Sequence, residues 1–494
     1  MKKTDTEVII IGSGFSGIGA GIKLKEAGYS FLILERESDI GGTWRDNQYP
    51  GVAVDITSFT YSYSFEQNPN WSRIFAPGEE LFRYANHCVD KYGIRDNFLF
   101  NSEVEQAVYD ADQTTWTVTL KSGKSYTSNI VISATGALTD PKFPDIDGFE
   151  SFKGKVIHTA RWDHSYDLTG KRVAVIGTGA TSVQLVPAIA PIVEQLYVFQ
   201  RTPIWIFPKP DAAIPDIIKN VFSTLPLSQN TVRKLTDMLT QTVMVTSVVN
   251  YKQYPFLIKY LEKICLYNLK QQVKNPDIRK KLTPNYGFGC KRPSFSNDFY
   301  PTFNRPNVEL VTDGISKITK DSIITKDGSA YKIDTLIAAT GFNVMKNTNY
   351  LNYRLVGKNG MELGDFWSTH RLQAYQGCSV PNFPNFFIIF GPYAASGLSW
   401  FDMIEIQLTH IMRVLNEKRN RNAATFEIKQ DEHDKYFKFI LKQQQNTVFL
   451  NNNCASSNSY YFDKFGDAPF LRPLTVAKSK EMSCTSDLNH YSFT

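Results

Sequence analysis

No Cys-x-x-Cys occurs in the 494 residues, although six cysteines are present: Cys88, Cys265, Cys290, Cys378, Cys454 and Cys484. Their scatter excludes a zinc-ribbon spacing and a redox-active dithiol motif, and it argues against a disulfide framework. No apolar run reaches the roughly 18 residues a spanning helix needs, so no transmembrane segment is expected. There is no Lys/Arg run, zinc-finger spacing or aromatic RNA-binding motif, which removes nucleic acid as a partner. The net charge of +6 is small for this length and reads as spread along the chain. Met1-Lys2-Lys3 ahead of Val8-Ile9-Ile10-Ile11 begins like a signal peptide, but the apolar run is too short and enters a glycine turn. A cytoplasmic protein is the expectation.

What is present is ample core material, with 42% hydrophobic and 21% charged residues, in a chain long enough for about three domains. Glu7-Val8-Ile9-Ile10-Ile11 reads as a buried parallel strand, because its β-branched residues run without alternation. It enters Gly12-Ser13-Gly14-Phe15-Ser16-Gly17 and then a helical stretch to about Gly28. In such a turn Gly12 permits the bend, Gly14 lets backbone approach a pyrophosphate, and Gly17 lets helix and strand pack. The helix N-terminus adds free N–H groups and partial positive charge. A second strand, Phe31-Leu32-Ile33-Leu34, ends at Glu35-Arg36, with the acid 23 residues after Gly12 and placed to accept ribose hydroxyls. Strand, turn, helix, strand and acid in that order predict a dinucleotide site.

A second copy of this pattern starts at Arg172-Val173-Ala174-Val175-Ile176 and turns through Gly177-Thr178-Gly179-Ala180-Thr181-Ser182, with Ser182 in place of the third glycine. Its second strand, Gln195 to Phe199, ends without a carboxylate. Arg201-Thr202 follows instead, the arginine 24 residues past Gly177. A guanidinium there suits a 2′-phosphate, so this site reads as NADPH-preferring. Between about Pro208 and Pro284 apolar residues recur at helical spacing with lysines between them, predicting a helical insertion with a solvated basic face rather than a membrane-surface helix. Ile130 to Gly136 and Asp334 to Phe342 read as strands that close the first and second domains, and Pro384 to Pro392 as a late strand returning to the first.

The twelve residues Phe152 to Asp163 join the two glycine sites and have the form Phe-x-Gly-x-x-x-His-x-x-x-Trp-Asp, on Phe152, Gly154, His158, Trp162 and Asp163. This resembles the fingerprint of type I Baeyer–Villiger monooxygenases, of the class B flavoprotein monooxygenases. Gly41-Gly42-Thr43-Trp44 with Tyr49-Pro50-Gly51-Val52-Ala53-Val54-Asp55 is similar to the flavin-lining segment of that family, and Cys290-Lys291-Arg292-Pro293 to its Lys-Arg segment. The resemblance spans nearly the whole chain. It implies an α/β fold of two Rossmann-like dinucleotide-binding domains, for FAD and NADP, with a helical insertion in the NADP domain. The domains are expected at 1–141 and 371–494 for FAD, 142–208 and 286–370 for NADP, with 209–285 inserted. The last fifteen or so residues are expected to fray, and residues 152–163 to act as a linker.

The same resemblance implies FAD- and NADPH-dependent conversion of a ketone and O₂ to an ester or lactone through a C4a-peroxyflavin, with sulfide oxidation besides. It assigns Arg292 and Asp55 to catalysis and Lys291 to the nicotinamide phosphate. Tyr393, where asparagine is frequent, and Tyr460-Tyr461, where Trp-Tyr is frequent, depart from the pattern and are expected to shape the pocket. The alternative is a flavin-containing monooxygenase acting on amines or sulfides, and a non-catalytic flavin-binding protein is the rival of another class. Monomer and homodimer both stay open.

Overall fold

The computed structural model describes residues 4–344 and 350–494; Met1-Lys2-Lys3 lie outside it. β1 (Thr6–Ile11) runs into α1 (Phe15–Glu26) and β2 (Phe31–Leu34), followed by α2 (Thr43–Asp46), α3 (Gly78–Lys91) and the short β3 (Phe98–Leu99). β4 (Val104–Asp110), β5 (Thr115–Leu120) and β6 (Ser125–Ser133) form an antiparallel meander that brings β6 back beside β1 in parallel register. Val8, Ile9 and Ile10 of β1 are wholly buried, as a strand covered on both faces requires.

The chain then builds a second sheet. β7 (Lys155–His158), β8 (Arg172–Ile176), α4 (Ala180–Ile189) and β9 (Gln195–Phe199) lead through β10 (Ile206–Phe207) into five helices. These are α5 (Asp216–Thr224), α6 (Pro226–Thr240), α7 (Thr246–Val249), α8 (Pro255–Gln272) and α9 (Pro276–Leu282), with one π turn at Gln241–Val245. Proline opens α6, α8 and α9, where its missing N–H is no loss. β11 (Ser294–Phe295), α10 (Phe299–Thr302), β12 (Val308–Val311), the antiparallel set β13 (Ile315–Ile318), β14 (Ser322–Thr325) and β15 (Ala330–Lys332), and β16 (Thr335–Ala338) complete this unit. Its main sheet has the order β12-β9-β8-β16-β7 and is parallel throughout.

β17 (Arg354–Val356) pairs with β4 and, after α11 (Leu363–His370), β18 (Phe386–Ile388) pairs with β6; α12 (Trp400–Asn420) then packs on α1. The chain is thus back in the first sheet by residue 354, earlier than the boundary at 371 expected from the sequence. The C-terminal residues do not fray either. Tyr491–Phe493 forms an antiparallel pair with Phe426–Ile428, and Tyr491 is buried. Its alternation of one apolar ring in, one polar residue out was hidden by a polar average composition. The fold is α/β with two Rossmann-like units, one carrying a helical insertion.

Candidate active site

The three glycines of the first turn do separate work. Gly12 has φ +106°, and a Cβ there would meet the Ala134 carbonyl at 2.6 Å. A Cβ on Gly17 would lie 1.9 Å from the Gly12 carbonyl oxygen, so α1 packs on the turn only with glycine there. Gly14 is different. Its nearest neighbour would be Gly42 Cα at 3.9 Å, so its side-chain space is open within the protein. That space belongs to a cavity at the carboxyl ends of β1, β2 and β6, lined by Gly12, Ser16, Glu35, Arg36, Thr43 and Trp44 among others. A glycine facing open space beside a helix N-terminus fits a dinucleotide's pyrophosphate.

Glu35 is buried and accepts hydrogen bonds from the Ser13 N–H (3.0 Å) and hydroxyl (2.5 Å), and Arg45 pairs with its other oxygen at 3.3 Å. Arg36 donates from Nη2 to the Thr139 carbonyl at 2.8 Å. Phe15 turns into the core against Phe401, with ring centroids 4.6 Å apart. Trp44 donates from Nε1 to the Tyr61 hydroxyl at 3.2 Å, and Tyr61, Phe390 and Trp400 line one end of the cavity.

Asp55 and Arg292, 237 positions apart, meet as a two-pronged ion pair. Nε donates to Oδ2 at 3.0 Å and Nη2 to Oδ1 at 2.7 Å. Both side chains are about one quarter exposed, 26% and 24%. The fork fixes the guanidinium plane, and Nη1 donates to no described residue, so one edge of the cation is free. Burial opposes the arginine's charge, but Asp55 outweighs it and raises the pKa above the ordinary value. Tyr460 and Tyr461 are further electrostatic neighbours of this guanidinium, and burial raises the pKa of Tyr61, which Asp55 and Arg292 also influence.

The second turn repeats the first with one exchange. Gly177 has φ +114° and Gly179 faces open space, with nothing within 4 Å of a Cβ there. Ser182 fits the packing position because its hydroxyl donates to the Gly177 carbonyl at 2.7 Å. Ala180 opens α4, and Thr178 donates to the Thr202 carbonyl at 3.0 Å. Arg201 and Lys291 lie close enough that burial first, and the arginine's charge second, lower the lysine's pKa. Among the described residues neither has a carboxylate partner, an arrangement that fits a bound anion such as a phosphate.

Between the units, Tyr49 donates to Gln184 Oε1 at 2.9 Å and is buried in the second unit's core, near Thr181. Gln184 also donates to the Ala53 carbonyl at 2.9 Å. Residues 49–55 therefore lean on α4 with Asp55 at their end, and nothing in the sequence marked Gln184 for this.

The fingerprint is not a free linker. Its first half is β7, an edge strand held on β16, and a Cβ on Gly154 would strike the Asp334 carbonyl at 2.4 Å and the Phe152 ring at 2.5 Å. A parallel strand this short has no alternation to betray it. Trp162 packs on the second unit's core. Asp163 closes a turn, accepting from Lys155 and from the Ser165 hydroxyl, both at 2.5 Å, and these bonds hold its pKa at about 2. His158 is buried, and burial lowers its pKa. Its ring packs edge-on against Phe143 and Phe342, centroids 5.1 and 6.2 Å away. Those two rings sit on the two crossings between units, which pair through Lys142 N–H to the Gly341 carbonyl (2.9 Å) and Asn343 N–H to the Asp140 carbonyl (2.9 Å). His158 thus lies against both crossings between the units.

Two more expectations are corrected. Cys290 and Cys454 form a disulfide across 164 positions, beside Lys291 and Arg292; only the fold brings such distant cysteines within bonding reach. Tyr393 does not line the cavity. It is wholly buried against Phe437 at φ +57°, while Tyr460, 38% exposed, stays near Arg292.

The family model for pyridine nucleotide-disulphide oxidoreductases matches residues 9–250. A Baeyer–Villiger monooxygenase of Pseudomonas aeruginosa is 38% identical over 452 residues, covering 91% of this chain and 84% of that one. Another, of Streptomyces coelicolor, is 37% identical over 492 residues, covering 98% and 92%. Among solved structures, an oxidized steroid monooxygenase bound to NADP superposes with a TM-score of 0.88 at 26% identity, covering 99% of both chains. OTEMO in complex with FAD and NADP gives 0.86 at 28% identity, covering 100% of both. With this identity to curated relatives along almost its full length, the chain belongs to the Baeyer–Villiger monooxygenases.

Proposed function

We propose that this protein is an FAD- and NADPH-dependent Baeyer–Villiger monooxygenase that inserts one oxygen of O₂ beside a ketone carbonyl, giving an ester or lactone. The observation that carries the reading is the Asp55–Arg292 fork with its free Nη1 edge. FAD, when bound, supplies hydride acceptance from NADPH and activation of O₂, chemistry that no protein side chain offers.

The chain's own residues hold, orient and stabilise. Gly12 and Gly14 with the α1 N-terminus cradle the FAD pyrophosphate, and Glu35 receives its ribose hydroxyls. Gly177 and Gly179 do the same for NADPH, with Arg201 and Lys291 on its 2′-phosphate. Arg292 donates from its free edge to the negative charge that develops on the ketone oxygen, where a preorganised cation in a water-poor pocket counts most. Asp55 positions that guanidinium without touching substrate. Tyr61, buried at the cavity wall, keeps water from the reacting atoms.

A flavin-containing monooxygenase acts on nucleophilic nitrogen or sulfur and has no comparable need for a cation aimed at an oxyanion. Purified holoenzyme offered cyclohexanone and a tertiary amine together should consume NADPH and yield lactone. N-oxide in place of lactone would transfer the protein to the amine-oxidising group.

A further inference from the structure

The largest feature this mechanism leaves unused is the outer face of the helical insertion. On α5 and α6 and at Leu225 between them, the side chains of Ile217, Leu225, Leu227, Leu235, Met238 and Leu239 are between 56% and 79% exposed. Leu227, Leu235 and Met238 recur at helical spacing, so α6 turns an apolar stripe outward while its polar Gln229 and Arg233 are buried. This inverts the usual arrangement of a surface helix. A contiguous run of such residues marks an interaction surface rather than a solvated face.

The charge of the molecule is concentrated in the same stretch of chain. Residues 209–285 hold twelve lysines and arginines against five carboxylates, an excess of seven. The whole chain is only +6, so everything outside the insertion nets one negative charge. The positive charge is therefore concentrated here, not spread. On α8, Phe256, Tyr260, Lys263 and Tyr267 share one exposed stripe. Among the described residues Lys234, Lys259, Lys263 and Lys270 have no carboxylate partner, so their charge is available to an outside anion.

We propose that this face docks on an anionic lipid surface, with the α5–α6 leucines dipping into the acyl boundary and the lysines meeting lipid phosphates. A second copy is the poorer occupant, because two faces each carrying this excess repel one another. No helix among the described residues is long and apolar enough to cross a membrane, so the contact is monotopic. The inner side of the same helices rests on the segment that follows Asp55. Phe222 meets Phe59 with centroids 5.7 Å apart, and Arg233 and Gln229 donate to the Ser62 and Asn68 carbonyls, each at 2.7 Å. A docked enzyme would thus hold its site close to ketones dissolved in the bilayer.

The test is co-sedimentation of holoenzyme with vesicles of equal parts phosphatidylglycerol and phosphatidylcholine at low salt. The wild-type protein should pellet with these vesicles, about tenfold less with phosphatidylcholine alone, and less at about 1 M salt, where screening reaches ~3 Å. The Leu227→Ser, Leu239→Ser double variant should lose binding by about tenfold or more, since it removes two exposed apolar anchors from the docking face. It should oxidise NADPH with a soluble ketone at the wild-type rate. Lys259→Glu with Lys263→Glu should also lower binding to the anionic vesicles, which keeps the test sound should the serine variant fold poorly. Wild-type protein left in the supernatant, or serine and glutamate variants that pellet normally, would overturn the proposal. So would a concentration-dependent dimer that the serine variant abolishes without any vesicle binding.

Discussion

Gly14 and Gly17 stand three positions apart and fail in opposite ways when given a side chain. A Cβ at 14 meets no protein atom closer than Gly42 Cα at 3.9 Å, but a valine there fills the space reserved for the pyrophosphate. Gly14→Val should therefore fold and be colourless, whereas Gly17→Val forces its Cβ to 1.9 Å from the Gly12 carbonyl and should fold poorly. Flavin absorbance per protein and a thermal melt separate the two; full FAD in Gly14→Val would show that the cofactor lies elsewhere. Arg292 divides binding from oxygenation in a similar way. Arg292→Ala should still bind FAD and still be reduced by NADPH, because the glycine turns and the Arg201–Lys291 pair are untouched. Losing one preorganised donor to a developing oxyanion costs about 10²–10³ in rate, so ester should fall by that factor and hydrogen peroxide appear in its place. Stopped-flow reduction followed by product analysis measures both, and a normal ester yield would remove the arginine from the mechanism.

At the level of elements, the hinge and the insertion each carry a charge or packing device. His158 sits beneath the paired crossings, touching Phe143 on one and Phe342 on the other. Relative movement of two units must pass through these crossings. His158→Ala is expected to keep FAD but slow hydride transfer or raise peroxide leakage. A variant that melts earlier yet turns over with normal rate and coupling would make the histidine a packing residue only. On α6, Asp237 faces Asp402 and Glu405 of α12, Lys480 of the helix Val476–Thr485, and Arg233 one turn away. Burial, then Asp402, raise its pKa to about 7. A carboxyl raised in this way stabilises the fold while protonated. The contribution is complete below about pH 4, near the unfolded value, and is lost as pH climbs through about 7. Asp237→Asn stays neutral, so its melting temperature should gain on wild type between those pH values and hold the gain above. A difference that does not change with pH would mean that the carboxyl is not strained by Asp402.

For the molecule as a whole, the parts legible in the sequence were those with a local physical signature. Unbroken apolar runs into glycine turns announced β1 and β8, an acid at Glu35 and its absence at Arg201 distinguished the two sites, and helical periodicity marked the insertion. What escaped notice depends on chain segments far apart. The Cys290–Cys454 bond, the lean of Tyr49 on Gln184, and the return to the first sheet by β17 all join distant positions with no shared motif. The outer face of the insertion escaped for another reason. Periodicity shows that a helix has an apolar side but not which side the fold covers, and here the lysines suggested solvent while leucines face outward. Arg292 and its partner Asp55 needed the family resemblance to be chosen at all; the fold then supplied the two-pronged geometry that joins them.

In the proposed function, two dinucleotide sites and one forked arginine serve oxygen insertion beside a ketone. Turnover of cyclohexanone by FAD-loaded protein with NADPH under isotopically heavy O₂ tests it most directly. The expected product is a lactone carrying one heavy oxygen in its ring, with the other heavy atom leaving as water and one NADPH consumed per lactone. NADPH oxidation that yields only heavy hydrogen peroxide, whatever ketone is present, would contradict it.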